Sequence, residues 1–410
     1  MVRRITRLGF MVACLWSAAV FAQPEITYID GGTIYTMAGE VIENGIVRME
    51  EGKITYVGRR IAIPKDAIVL DATDKYITPG FILAHSTIGI PEPRSSEISL
   101  APVTPDYRIH DILNLDDPGF AEATMHGITA INTMPRPTRP ISGVGVLVKT
   151  QGEVFINQVI RKKSALSINL VQKSQAITSE RERSLASEVE AIILIRNWLQ
   201  EASRLQNARE NISAGYSDFD IDGHTVNLLK AINHELPTFI YANSPTEIER
   251  GISLYEDFNL QVVFVGMNQI NKIWDRFTEW KPPIITGPLD LFPQEDWFLP
   301  VTLGRVDTLF QRNFPCHLQV DEFGLYGHGG VRNLVYQAAM LQKIGLSDVE
   351  AMQTITTIPA QILGVEDQLG TIEIGKDADL NIFSDQPLTS LALPDLVIID
   401  GRVVNEPRRQ

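Results

Sequence analysis

The sequence predicts an α/β protein in which a large repeating β/α unit is inserted into a small β-domain. Three observations carry this. Residues 26–80 alternate polar and apolar positions with glycine turns. From 81 to 361 short apolar runs alternate with amphipathic stretches. The last residues, 362–410, return to strand-like alternation. The simplest arrangement pairs the two ends in one β-domain and places a (β/α)8 barrel or a doubly wound sheet between them.

The chain has 410 residues, enough for a large barrel or two domains. It is 44% hydrophobic and 21% charged, which excludes a disordered or collagen-like chain. Residues 1–22 read as a secretory signal peptide: Arg3, Arg4 and Arg7 precede an apolar run ending at Ala22. That run is short for a membrane span, which needs roughly 20 residues. Lipid modification at Cys14 is the weaker alternative. The expected location is export, to the periplasm. Beyond the leader a single cysteine is left, Cys316, expected as a buried small hydrophobe. The net charge of −14 argues against nucleic acid and anionic membrane as partners.

Taken in order, "ITYIDGGTIYT" and "GIVRMEEGKITYVG" read as hairpins, and "AIVLDA" and "KYITPG" as two further short strands, giving the N-terminal part of a β-sandwich over 23–80. Within 81–361, "GITAINTM", "PTFIYAN", "LQVVFVG" and "PPIITG" fit strands buried on both faces. The stretch 179–211 predicts a long helix, with Ser179 and Glu182 at capping-box spacing. The stretch 347–364 predicts one helix ending at Gly364. "GTIEIGKDADLNIF" and "LVIIDGRVV" supply the C-terminal part of the sandwich, with Asp400 and Gly401 at a hairpin turn.

"YITPGFILAHST" (76–87), "FAEATMHGITAINTMPRPTRPISGVGVLVKTQG" (120–152) and "TTIPAQILGVEDQLGTIEIGKDADLNIFSDQPL" (356–388) make the chain resemble the amidohydrolase superfamily, in particular its exported, imidazolonepropionase-related branch. The likeness runs from about Ile26 to Val404. It implies a (β/α)8 TIM-like barrel over 81–361, inserted into a β-sandwich made from both chain ends. It also implies a hydrolase acting on non-peptide carbon–nitrogen bonds with a divalent metal at the barrel mouth.

Position by position the family's ligands are largely replaced. The first strand of the family carries His-x-His, whose i and i+2 side chains share one face. Here His85 matches the first histidine, Thr87 stands at the second, and Leu83 replaces a usual aspartate. Ser167 falls where the fourth-strand lysine is expected, with Lys162, Lys163 and Lys173 as alternatives if the alignment slips. Tyr241 takes the fifth-strand histidine position, followed by Asn243. Val265 or Gly266 takes the sixth. Asp321 matches the eighth-strand aspartate that handles protons.

The resemblance therefore assigns Asp321 as the catalytic acid–base group, and His85 and Asp321 as a vestigial metal pair. Thr87, Tyr241 and Asn243 become pocket-lining residues. Zinc or another divalent ion is implied only if the site is retained, because a catalytic zinc needs three protein ligands. Loss of metal-dependent catalysis leaves two further readings. One is a non-catalytic partner of an active paralogue, in a homo- or hetero-oligomer. The other is an exported small-molecule binding protein.

More ordinary readings compete at each residue. His85 can be a hydrogen-bonded core histidine, and Asp321 can pair with Arg332. "DFDIDG" (218–223) opens like a calcium loop but carries Leu229 at the twelfth position, where glutamate is needed. His328 lies in a glycine-rich loop. His110, His126, His224, His234 and His317 fall in no ligand spacing.

Overall fold

The computed structural model describes residues 26–91, 101–152, 155–171, 188–211, 223–289, 303–320, 327–389 and 392–405. The leader, Ser179, Glu182, the start of the calcium-like loop and Asp321 lie outside these residues.

Seven strands come first: β1 (Ile26–Asp30), β2 (Thr33–Tyr35), β3 (Val41–Ile42), β4 (Gly45–Glu50), β5 (Lys53–Arg59), β6 (Ile68–Asp71) and β7 (Tyr76–Pro79). Among the described residues ten follow along the middle of the chain. They are β8 (Phe81–Ser86), β9 (Ile128–Thr133), β10 (Ile141–Val144), β11 (Val146–Lys149), β12 (Val159–Arg161), β13 (Leu166–Asn169), β14 (Thr238–Ala242), β15 (Val262–Gly266), β16 (Ile284–Thr286) and β17 (Cys316–Leu318). Three close the chain: β18 (Leu380–Phe383), β19 (Leu396–Ile399) and β20 (Arg402–Asn405).

The terminal strands form two sheets. One runs β5-β4-β1-β6 and the other β20-β19-β18-β7-β2-β3. The second joins the chain's ends through antiparallel pairing of β7 with β18, Ile77 opposite Ile382. Ile29, Val47, Ile77, Leu380 and Ile398 pack together between the sheets. At Asp400 and Gly401 the hairpin turn places both residues at positive φ, 49° and 74°, as a tight primed turn requires.

The middle strands form two more sheets, β12-β11-β9-β8 and β10-β13-β14-β15-β16-β17. β8 and β9 are parallel, as are β13 to β17. A single extended segment links them. Its second half, β11, pairs antiparallel with β9, and its first half, β10, pairs antiparallel with β13. The two halves meet at Gly145, whose N–H and C=O bond to Ala165 and Ser164.

Alternation fixes which side chains face each other. Ile82, Ala84, Leu147, Phe239, Tyr241, Val263, Val265 and Ile285 share one apolar cluster. Their neighbours in the chain pack instead under the helices: Ile240, Ala242 and Phe264 in one cluster, Phe81 and Leu83 in another. The first set is the inner face. Both faces are apolar, as parallel strands covered on both sides should be.

The remaining edge of β8 is satisfied without a strand partner. Ala84 N–H donates to His317 Nε2 at 3.0 Å, and Ile82 N–H to the Ile355 carbonyl at 2.8 Å. This reshapes the helix expected over 347–364. Two short helices, Asp348–Gln353 and Thr357–Leu363, flank a break at Thr354–Thr356. The Thr354 and Ile355 carbonyls are diverted to His317 and Ile82. Tertiary bonds have outweighed a local helical pattern.

Candidate functional site

Of the residues singled out by sequence, His85 and Tyr241 meet near the C-terminal ends of the parallel strands with Ser167 beside the phenol, Leu83 packs on the outer face, and Asp321 lies outside the described residues. In α/β proteins this end carries the ligand sites. Across the sheet, register places Asn169 beside Tyr241, Tyr241 beside Val265, Val265 beside Ile285 and Ile285 beside His317.

His85 lies at the end of β8 and is 1% exposed. Its Nε2 is 2.8 Å from the Tyr241 hydroxyl, and the two rings meet edge to face with centroids 5.5 Å apart. Its Nδ1 has no hydrogen-bond partner among the described residues. Burial lowers the His85 pKa to about 4, and the neighbouring His317 pushes it in the same direction. The imidazole is therefore neutral at physiological pH. Burial likewise raises the Tyr241 phenol above its ordinary value, with the Ser167 hydroxyl acting the other way. Ser167 is fully buried beside that phenol, and its Oγ makes no hydrogen bond of regular geometry.

His317 is the group that sequence spacing passed over. It is fully buried on the inner face of β17, with both nitrogens used: Nε2 accepts from Ala84 N–H, and Nδ1–H donates to the Thr354 carbonyl at 2.7 Å. Burial lowers its pKa to about 4, against the opposing effect of the Thr354 bond. The only sequence signal was alternation in "CHLQ", where Cys316 and Leu318 face outward and His317 and Gln319 inward. Gln319, 3% exposed, donates from Nε2 to the Gly287 carbonyl at 2.9 Å and leaves Oε1 unpartnered.

Asn243 follows β14, two residues past Tyr241. Its N–H donates to Glu247 Oε2 at 2.7 Å. Glu247 also closes a capping box with Ser244 at the start of helix Pro245–Phe258. Gly266 faces it at φ 99°, where a Cβ would collide with Asn243 Oδ1. That position demands glycine twice over, by conformation and by contact. Thr87 is buried just beyond β8. Lys163 bonds to Asn227 Oδ1 at 2.7 Å, and Lys173 lies outside the described residues. Arg332 pairs with Glu122 at 3.0 Å. The Cys316 thiol is buried and its pKa is pushed up to about 12 by burial, so it is no nucleophile.

A catalytic zinc requires at least three N, O or S donors on one point. Among the described residues no group of three or more His, Cys, Asp or Glu side chains is so gathered. His85 Nε2 is engaged by a phenol, and both His317 nitrogens are engaged by the backbone. The described side chains do not fit a divalent metal. What they supply instead is neutral: an imidazole held by tyrosine, a hydroxyl and side-chain amides.

Comparison with known proteins gives the class first. The model of the Amidohydrolase family matches residues 334–405. A crystal structure of an amidohydrolase from Thermotoga maritima MSB8 superposes with a TM-score of 0.83 at 24% identity, covering 93% of this chain and 100% of that one. Phenylurea hydrolase B superposes with a TM-score of 0.59 at 14% identity, covering 93% of this chain and 97% of that one. The chain thus has the fold of these solved structures, and the family model matches its C-terminal part.

Among curated sequences, the amidohydrolase tasK of Hapsidospora irregularis is 22% identical over 395 residues, 87% of this chain. A dihydroorotase of Anaeromyxobacter dehalogenans (strain 2CP-C) is 29% identical over 118 residues, 29% of this chain. The chain spans only 39% and 23% of the lengths of these two relatives. No helix among the described residues is long and apolar enough to cross a membrane.

Proposed function

We propose that the chain is an exported amidohydrolase of the imidazolonepropionase-related branch, a hydrolase of non-peptide carbon–nitrogen bonds by descent, in which metal-dependent catalysis is weakened or lost. The middle strands are read as a (β/α)8 barrel, with the inner polar groups at its mouth. Export rests on the leader-like pattern of residues 1–22.

One observation carries the reading. The Tyr241 hydroxyl, at the position of a family metal ligand, is hydrogen-bonded to His85, the one family histidine retained on β8. A buried imidazole committed to a phenol gives up that bond if the same nitrogen takes a metal. Asp321 is the proposed acid–base group of any turnover that remains.

The test is elemental analysis of protein produced with zinc and manganese supplied, together with hydrolysis of an amide, lactam and cyclic urea panel. Well-folded protein with far less than one metal per chain, and turnover near background, is expected. A full equivalent of metal that depends on His85, with turnover abolished by Asp321→Asn, would overturn the proposal.

A second reading, an exported small-molecule binding protein, draws on the unpartnered buried atoms of His85, Ser167 and Gln319. Native proteins seldom leave such atoms without a partner, and ligand sites are a place where they do. It expects thermal stabilisation by a ligand without turnover.

A further inference from the structure

We propose that β6 is the contact strand of a two-fold dimer, in which it pairs antiparallel with β6 of a second copy of this chain and joins two four-stranded sheets into one of eight. This surface lies in the terminal sheets and is independent of the site described above.

The two terminal sheets have four edge strands, β5 and β6 on one, β20 and β3 on the other. Three of them are covered or blunted. β5 is covered by its own chain: Ile54 N–H donates to the Lys376 carbonyl at 2.9 Å, and Gly375 N–H donates to the Ile54 carbonyl at 2.8 Å. Lys53, at its start, is tied to Asp377. β3 has only two residues. β20 begins with Arg402 and pairs with a shift of register. Short edges, basic side chains and irregular pairing are the usual guards against an added strand.

β6 carries none of these guards. Its residues, Ile68, Val69, Leu70 and Asp71, include no lysine, arginine or proline. They pair in unbroken parallel register with β1, the one partner strand among the described residues. Ile68 and Val69 are 45% and 44% exposed.

The free edge has a definite polarity. Ala72 N–H donates to the Asp30 carbonyl at 2.9 Å, so the backbone groups of Ala72 face β1. These groups alternate in side along a strand. Leu70 and Ile68 therefore face β1 as well, while Val69 and Asp71 turn their N–H and C=O outward. Ala67 offers only its carbonyl, because its N–H donates to the Pro64 carbonyl at 3.2 Å.

One register satisfies both copies. Residues opposite each other across a sheet share a face. A two-fold axis through Val69 meets this condition: Val69 lies opposite the partner's Val69, Ile68 opposite the partner's Leu70, and Ala67 opposite the partner's Asp71. Val69 then exchanges both of its bonds with the partner's Val69. Asp71 N–H meets the free carbonyl of the partner's Ala67. Ile68 shares a face with Leu70, which packs against the sandwich core, and so gains an apolar neighbour.

Charge selects the orientation and the occupant. Lys65 is exposed in the turn before β6, and Asp71 closes the strand. Antiparallel pairing carries the Lys65 turn of each copy towards the partner's Asp71, a complementary pair made twice. Parallel pairing would set each of these charges beside its own kind, which is destabilising. A strand that complements itself in hydrogen bonding, apolar face and charge takes a second copy of this chain.

The test is the oligomeric state of the full chain, measured by light scattering at micromolar concentration. A dimer is expected. Val69→Lys sets two ammonium groups against each other across the axis and should weaken the dimer at least about tenfold, as should Val69→Glu. An equimolar mixture of the two variants should restore it, a rescue that local damage to the fold would not give. Val69→Cys should form a disulfide-linked dimer under mild oxidation, since Cα atoms about 5.5 Å apart are within bridging range. Ile68→Cys should not, because its two copies stand roughly 8 Å apart.

A monomer at these concentrations overturns the proposal. So does a dimer that neither charge at position 69 weakens, since its contact would lie elsewhere on the molecule. Cross-linking through Ile68→Cys in place of Val69→Cys overturns it as well, because the strands would then meet in another register.

Discussion

Two buried polar clusters in this molecule have opposite electrostatic character. At the strand ends, His85, Tyr241 and His317 are all neutral, and His85 keeps an unpartnered nitrogen. At the other cluster, Lys149 of β11 places its ammonium 2.8 Å from Asp377, 2.9 Å from Asp379 and 2.5 Å from Asp400. Lys53 adds a second ammonium on Asp377. These aspartates precede β18 or follow β19, so the cluster ties the middle strands to the terminal sheets.

Burial acts on both clusters. It drives the histidines neutral, since among the described residues no carboxylate opposes it. It would discharge Lys149 too, but three carboxylates overcome it and hold the lysine pKa above its ordinary value. Charge survives burial only where the opposite charge is built in. Each cluster keeps one buried atom without a partner, Asp379 Oδ2 in the ionic one and His85 Nδ1 in the neutral one, so the contrast between them is one of charge.

The sharpest way to break this contrast is Lys149→Met. It leaves Asp379 and Asp400 without their cation and Asp377 with Lys53 alone, and a loss of about 3–5 kcal/mol is expected in urea unfolding. A loss below about 1 kcal/mol would mean that the cluster does not weld the two parts.

Acid should separate the clusters next. His85 and His317 have folded pKa values near 4 against 6.5 unfolded. The unfolded chain therefore binds more protons between those values, and stability falls as pH drops from about 6.5 to about 4. The loss is on the order of 3 kcal/mol for a single such group.

Asp379 works the other way. Burial raises its pKa to about 6, with Asp400 adding to the rise and Lys149 opposing it. The folded chain takes up that proton first, so stability is gained as pH falls from about 6 towards 4. The charge count agrees: two ammonium groups face three carboxylates, one carboxylate in excess. Asp379→Asn should remove the gain and steepen the acid loss, while His317→Gln should flatten it. Identical pH profiles for the two variants would refute the assignment.

The smallest effect should come from an exposed ion pair. Arg276 reaches Glu249 and Glu256 at 3.0 and 3.1 Å, but all three side chains are more than 40% exposed. Arg276→Ala should cost less than about 1 kcal/mol in the same unfolding assay. A larger loss would show that the contrast between the clusters is not one of burial.

Local pattern made many elements legible. "PTFIYAN" and "LQVVFVG" contain β14 and β15, and "GITAINTM" contains β9, because strands buried on both faces need continuous apolar runs. The motif "YITPGFILAHST" singled out His85, whose place at the end of β8 follows from its position in the strand. His317 was invisible, since its partners, Ala84 and Thr354, are remote in sequence and are backbone atoms that carry no residue identity. The break at Thr354–Thr356 was hidden for the same reason. The Lys149 cluster joins residues more than 220 positions apart.

The sequence by itself determined the alternation of strands and helices and the turns at the chain's ends. These are properties of side-chain type and spacing, which act over a few residues. Only the tertiary structure decided that Tyr241 meets His85, that His317 bridges β17 and β8, and that Lys149 carries its charge into the interior. Each is a contact across strands distant in the chain. Its energy depends on burial and on the partner brought opposite, and neither exists until the chain has folded.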